Sequence, residues 1–255
     1  SSSSAASDVY KRQEEVVMRV SDNSGNRFDG DLKEACNGKG IFKSIKENKW
    51  ECRNVCGYVV CKPKEGNRET ASGENKDQII TIRALVTHWV QNFLDDYKKI
   101  KHKISHCTKT DQGSTCQNKC QNKCKCVGEW IPKKREEWQQ IKDRFLKQYK
   151  NDKLDEDFNL RSCLETFLVQ IGAAYGEDKF KKVIKLSVFD QSCGCSAIAS
   201  SQKKNGEYKD AIECMLKKLE EKANKCKEDH SSGEQTEKEC QESPSVEDED
   251  DTLHE

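Results

Sequence analysis

The sequence predicts an all-α fold: a disulfide-stapled helical bundle built on two long antiparallel helices, with a short irregular N-terminal cysteine-rich segment. Three observations predict it. The 255 residues hold 15 cysteines and only 3 prolines, a thiol load that suits an exported domain better than a cytosolic enzyme. Cys116, Cys120, Cys124 and Cys126 lie within eleven residues and lead straight into Val127-Gly128-Glu129-Trp130-Ile131, the head of a helix with a tryptophan every two turns. Apolar residues recur at i, i+3, i+4 and i+7 over long windows, and no stretch shows a competing period-two alternation.

Composition narrows the classes further. Hydrophobic residues make up 33% and charged residues 35%, so the few apolar side chains must be buried efficiently or helped by cross-links. Lys+Arg and Asp+Glu are balanced at 45 each, which gives no argument for a nucleic-acid or membrane-surface partner. Charge is uneven locally: Lys98 to Lys123 is basic, and the last fifteen residues are acidic. No apolar run approaches the ~20 residues that span a bilayer, so this stretch is not expected to insert into a membrane. No secretory apolar region is present, yet the cysteines read as extracellular, so the chain reads as part of a longer exported protein. The odd cysteine count implies at least one thiol, or a partner outside the chain.

The elements follow in order. Residues 1–13 lack periodicity and cysteine and read as an expression or sequence-assembly scar. Residues 14–77 read as short elements tied by cysteines, with Val16, Val17 and Val20 facing inward from a short helix and 65–76 as a loop. The clearest helix spans 78–106, with Ile82, Leu85, Val86, Trp89, Phe93, Tyr97, Ile100 and Ile104 on its stripe; at about 1.5 Å per residue it exceeds 40 Å. Residues 107–126 read as a cysteine-rich loop. A second long helix is expected over 127–150, with Trp130, Ile131, Trp138, Ile141 and Phe145 inward and Pro132 tolerated in the first turn. Shorter helical pieces are expected at 158–175 and 178–187, and Cys193-Gly194-Cys195 closes a turn. A last helix at 206–227 buries Ile212, Met215, Leu216 and Leu219. The helical bundle thus ends near 228, and 229–255 reads as an acidic disordered linker.

The cysteines are the main candidate site. Cys36, Cys52, Cys56, Cys61, Cys107, Cys116, Cys120, Cys124, Cys126, Cys163, Cys193, Cys195, Cys214 and Cys226 are expected to form disulfides, with at least one bridge leaving the Cys116–Cys126 cluster. Zinc is the alternative, but zinc knuckles favour x2 spacing and the cluster has x3, x3 and x1. No cofactor is expected. His88 and His106 raise a cysteine–histidine nucleophile, but His106 and Cys107 are helix neighbours whose side chains diverge, and surface histidines are the plainer reading. Trp89, Trp130 and Trp138 read as core rather than as a binding patch. The basic residues Lys98, Lys99, Lys101, Lys103, Lys109, Lys119, Lys123, Lys125, Lys133, Lys134 and Arg135 admit a sulfated glycan, though helix lysines are usually a solvated face. There is no glycine-rich phosphate loop, no acid/base carboxylate pair and no HExxH, so nothing supports an enzyme.

Two longer strings carry a family resemblance: IRALVTHWVQNFLDDYKKIKHKISHC from Ile82, and CQNKCQNKCKCVGEWIPKKREEWQQIKDRFLKQY from Cys116. They resemble the Duffy-binding-like and cysteine-rich interdomain modules of the malaria parasite variant surface antigens, the erythrocyte membrane protein 1 family. Both modules pair a tryptophan-bearing long helix with a C-x-C…W-I…E-W helix. The later CLETFLVQI, KVIKLSVFDQSCGCSA and DAIECMLKKLEEK also resemble these antigens, so the likeness runs from about 36 to 250. Only about 65 residues precede the first long helix, including GIFKSIKENKWECRNVCGYVVC. That length suits either an interdomain-region module or the C-terminal part of a Duffy-binding-like domain. The resemblance implies adhesion: an extracellular part of a membrane protein on infected erythrocytes, binding a host cell-surface receptor, which in this family includes proteins and glycans. The alternatives are a non-binding spacer between adhesive modules and a sulfated-glycan-binding module. No receptor-contact residue carries over.

Overall fold

The computed structural model describes residues 15–64, 78–107, 117–149, 162–164, 166–167, 170–171 and 210–230. Expectations for residues 1–13, the 65–76 loop, the 178–187 helix, most of 158–175, and the tail beyond 230 fall outside that set. So do those for Cys116, Cys193 and Cys195.

The N-terminal cysteine-rich segment is not irregular. It forms a four-stranded antiparallel sheet, β1 (Glu15–Ser21), β2 (Ile45–Val55), β3 (Tyr58–Pro63) and β4 (Ile80–Thr81), in that spatial order. Val16, Val17 and Val20 thus lie on a strand, not a helix. Val16 pairs with Trp50 and Met18 with Asn48, and Val16 and Met18 are buried. β-Branched residues pack well on a pleated surface once a partner strand and a covering helix exist. Between β1 and β2 a 3-10 turn (Gly30–Leu32) runs into a short helix, α1 (Lys33–Cys36). Gly30 sits at φ 76°, and an added Cβ would lie 1.8 Å from the Glu47 carboxylate, so both backbone conformation and space require glycine there.

The helices carry the rest. α2 (Ile82–Ile104) begins where Thr81 Oγ1 accepts the Ala84 N–H at 3.2 Å and ends with Lys101, His102 and Lys103, cations favoured near a helix C-terminus. All eight expected stripe residues are buried. α3 (Gln117–Tyr149) starts ten residues earlier than the sequence suggests, so most of the cysteine cluster is helical. Its 33 residues span about 50 Å. Pro132 consequently lies inside the helix, where it deprives the Gly128 carbonyl of its usual donor. Gly128 leaves room for Lys227, whose Nζ lies 2.5 Å from the position a Cβ would occupy. α4 (Ala211–Asp229) opens with a capping box between Asp210 and Glu213.

α2 and α3 run antiparallel, locked by an aromatic ladder. Trp89 stacks on Trp138 (5.2 Å between centroids) and on Phe93 (5.0 Å), and Phe93 stacks on Trp130 (5.8 Å). The three tryptophans are core, as their spacing suggests. Sheet and helices share one continuous core. A buried polar seam joins them: Glu137 on α3 accepts from the Arg19 guanidinium (3.1 Å), Trp89 Nε1 (3.1 Å) and Lys134 Nζ (2.9 Å), while Arg19 also forms a bidentate pair with Asp31 (2.6 and 2.7 Å). A second buried cluster pins α4 to α3. There Asp210 accepts from Trp138 Nε1 (3.0 Å) and Lys142 (3.2 Å), and Lys142 also pairs with Glu213 (2.6 Å). Buried charge is tolerated in both places because each group is paired and hydrogen-bonded.

Among the described residues, disulfides join Cys36–Cys126, Cys52–Cys61, Cys107–Cys120 and Cys124–Cys226. Three of the four leave the α3 cysteine cluster, for α1, for the end of α2 and for α4. Two expected half-cystines are corrected. Cys56 and Cys163 are thiols. Cys56 sits at an exposed turn with no second sulfur opposite it among the described residues. Cys163 is packed in the core as a small apolar side chain, and Cys214 is buried too.

Candidate functional site

Three places could carry a function: the histidine–cysteine contact and the basic segment, both raised by the sequence, and a group of exposed apolar residues that only the structure reveals. The first is chemically quiet. A ring nitrogen of His106 lies within 4.8 Å of the sulfurs of Cys107 and Cys120, a spacing compatible with metal ligation. Those sulfurs are bonded to each other, so neither is a thiolate available to a metal or an electrophile. His88 lies mid-helix on α2 near Asn92 (3.3 Å), with burial holding its imidazole below the usual range. It is not brought to any described cysteine.

The second place is the β2–β3 hairpin. Val55 pairs with Tyr58 across a two-residue turn, Cys56-Gly57. Both turn residues have positive φ (52° and 87°), the geometry that matches the right-handed twist of the flanking strands. Gly57 N–H donates to Asn54 Oδ1 (3.0 Å), closing the tip. Below it, Val59 N–H donates to Gln148 Oε1 (2.8 Å), tying the hairpin to the far end of α3, and the Cys52–Cys61 bridge joins directly paired residues. The tip therefore rests on a rigid base. Val55 is 51% and Tyr58 65% exposed, and with Ile79 (64%) they are the large exposed apolar side chains of the described residues. Paired apolar side chains at a fixed tip are the kind of feature a partner protein grips. Sequence reading missed this tip because β2 is mostly polar. The available signal was Asn54 and Gly57 around a two-residue gap.

The basic segment divides in two. Lys134 is buried against Glu137, Lys133 pairs with Asp31 (2.9 Å) and Arg135 with Glu220 (2.5 Å). These three belong to the fold's own ion pairs. Lys103, Lys119 and Lys123 instead converge where α2 ends and α3 begins. Burial and the charges of Lys103 and Lys119 hold the Lys123 ammonium below the usual lysine range. Beside it, burial together with Lys123, His102 and His230 holds His106 below the usual histidine range. Like charges gathered at one corner raise the local positive potential.

The comparisons follow the same two-part layout. The family model described as the PFEMP1 DBL domain matches residues 85–234, which take in α2, α3 and α4. The model described as Cysteine-Rich Interdomain Region 1 gamma matches residues 13–65, the first three strands and α1. Among solved structures, the chain is similar to the N-terminal NTS-DBL1-alpha and CIDR-gamma double domain of the PfEMP1 protein from the Plasmodium falciparum varO strain. Identity is 27% and the TM-score 0.55, over 88% of this chain and 32% of that one. The chain thus spans about a third of the length of that relative. No curated protein matches it.

Proposed function

Because this chain belongs to the PfEMP1 family, whose DBL and CIDR domains are adhesion modules of a parasite antigen and not enzymes, we propose that it binds a host cell-surface receptor as part of an antigen displayed on infected erythrocytes. The family match carries the reading. The scaffold supports it: disulfides and a continuous core hold the shape, so exposed residues can vary with little effect on folding. The hairpin tip with Val55 and Tyr58 is the contact the geometry favours, because a spacer has no use for a fixed, exposed apolar tip. The test is binding of the folded chain to host cells bearing candidate receptors, with Val55→Asp and Tyr58→Ala as tip variants. Binding should survive chelators, fail after reduction and fall at least tenfold in the tip variants, about 1.4 kcal/mol. If the folded chain binds no cell while neighbouring modules do, it is a spacer.

The Lys103–Lys119–Lys123 corner favours a second reading, binding of a sulfated glycan. That contact would weaken steeply with salt, whereas an apolar contact at the hairpin tip would not.

A further inference from the structure

Three helix ends meet at the Cys107–Cys120 bridge, and two histidines stand beside it. Cys107 closes the 3-10 turn after α2 (Ser105–Cys107), Cys120 lies in the first turn of α3, and His230 directly follows α4. A ring nitrogen of His106 and the two sulfurs all lie within 4.8 Å of one another. Donor atoms around a tetrahedral zinc sit about 3.3–3.8 Å apart, from bonds of about 2.0–2.3 Å. The three donors are therefore close to ligand spacing before any metal draws them in.

His230 gives a separate sign. It is only 6% exposed. Its Nε2 donates to the Cys107 carbonyl (3.3 Å), and its Nδ1 has no hydrogen-bond partner. A neutral imidazole that donates through one nitrogen carries its lone pair on the other. Burying that lone pair without a partner is costly. One ring N–H on a backbone carbonyl, with the second nitrogen bare, is how metal-ligating histidines are held. Two cysteines and two histidines also make a common structural zinc set. While the bridge is closed, both sulfurs are withheld from a metal. Once it is open, the set is complete. Burial, then the Lys123 charge, keeps His106 below the usual histidine range, so it is neutral and able to ligate. His106 is also exposed, which leaves an ion a way in.

We propose that, while the Cys107–Cys120 bridge is open, Cys107, Cys120, His106 and His230 hold a zinc ion that gathers the ends of α2, α3 and α4 and reserves the two thiols for each other. The two thiols release their protons as zinc binds. Closure then takes an external disulfide as oxidant. The two thiolates form the Cys107–Cys120 bond, the external disulfide is reduced to two thiolates, and the ion is released. The proposal does not depend on the adhesion reading, because it concerns the open-bridge chain and no receptor.

The test maps thiol protection residue by residue. The full chain is reduced with a phosphine, given one equivalent of Zn2+ and alkylated with N-ethylmaleimide, and peptide mass spectrometry reads each cysteine. Zinc should slow alkylation of Cys107 and Cys120 about tenfold or more, and a chelator should restore the rate. Cys52 and Cys61, which belong to no such cluster, should be unaffected. His106→Gln and His230→Gln should each weaken zinc binding about tenfold or more, read against a chromophoric competing chelator, and should remove the protection. Both variants keep every cysteine, and His106→Gln changes an exposed side chain, so thermal melts of the oxidised chain separate lost ligation from lost folding. Three results would overturn the proposal: no protection by zinc, equal protection of Cys52 and Cys61, or protection of Cys107 and Cys120 unchanged in either histidine variant.

Discussion

The helical bundle and the β2–β3 hairpin are both stapled, but the staples do different jobs. In the bundle, Cys36–Cys126 and Cys124–Cys226 close loops of 90 and 102 residues around a core filled by stacked aromatics. In the hairpin, Cys52–Cys61 closes only 9 residues and supports a tip whose side chains face solvent. A long loop loses more entropy on closure than a short one. The bundle's bridges thus secure the fold, while the hairpin's bridge secures a local shape. Stability should be concentrated at one end of the molecule and binding at the other.

The sharpest way to break this contrast is to remove one bridge from each region. Replacing Cys124 and Cys226 by Ala should cost about 4–5 kcal/mol, and replacing Cys52 and Cys61 about 2–3, on the loop-entropy scale. Denaturant unfolding checks this, and equal losses would erase the distinction. Trp138→Ala comes next. It removes a stacked ring and one of the donors to buried Asp210, and should cost on the order of 3–5 kcal/mol. A loss under ~1 kcal/mol, read from the same denaturation curve, would mean the ladder is not what joins α2 to α3.

A pH scan sharpens the picture within the bundle. Burial raises the Asp96 carboxyl to about 6, despite nearby Lys134 and the Ser21 hydroxyl that donates to it. The folded chain therefore holds this proton more tightly than the unfolded chain, whose carboxyl titrates near 4. This group contributes most to stability below about pH 4, and its contribution is lost as pH rises through about 6. Asp96→Asn still accepts from Ser21. It should be more stable than the parent at pH 7.5, by up to about 2–3 kcal/mol, with the gain shrinking as pH falls below 6. A constant difference from pH 5 to 8 in thermal melts would refute the assignment. Asp31 works in the opposite sense: its pairing with Arg19 holds it at about 2, so that contribution disappears only in strong acid. The smallest expected effect is at the hairpin. Tyr58→Ala should change stability by under ~0.5 kcal/mol, as surface substitutions do, while weakening cell binding. A large drop in melting temperature would place Tyr58 in the fold rather than at a contact.

What could be read from the sequence follows from how local each signal is. The α2 stripe from Ile82 to Ile104 is a within-helix pattern and needs no partner to be seen. The start of α3 is harder to see, because QNKCQNKCKC contains no aliphatic residue. Its cysteines at i and i+4 serve as the buried face, which only the bridges at Cys120 and Cys124 make plain. The sheet is least visible. β2 reads IKENKWECRNV, mostly polar, and is held by register with β1 and β3. The hairpin tip was hidden along with the sheet. The basic segment was visible as a run, but its division was not. Lys134, with Glu137 three residues on, is spent inside the fold, whereas Lys103 and Lys123 meet only because α2 and α3 join at one corner.

The α3 bridges have a mechanical consequence. Suppose the chain is pulled from beyond Cys36 on one side and beyond Cys226 on the other. Tension passes from Cys36 through a sulfur link to Cys126, along three residues to Cys124, and through a second link to Cys226. Everything else between Cys36 and Cys226 hangs off this short covalent path and carries no load. At roughly 3.3–3.6 Å per residue, on the order of 600 Å of chain cannot pay out while both links hold. A force–extension trace should show almost no lengthening from this region until a reductant is added, then long steps. That makes this region an inextensible tether.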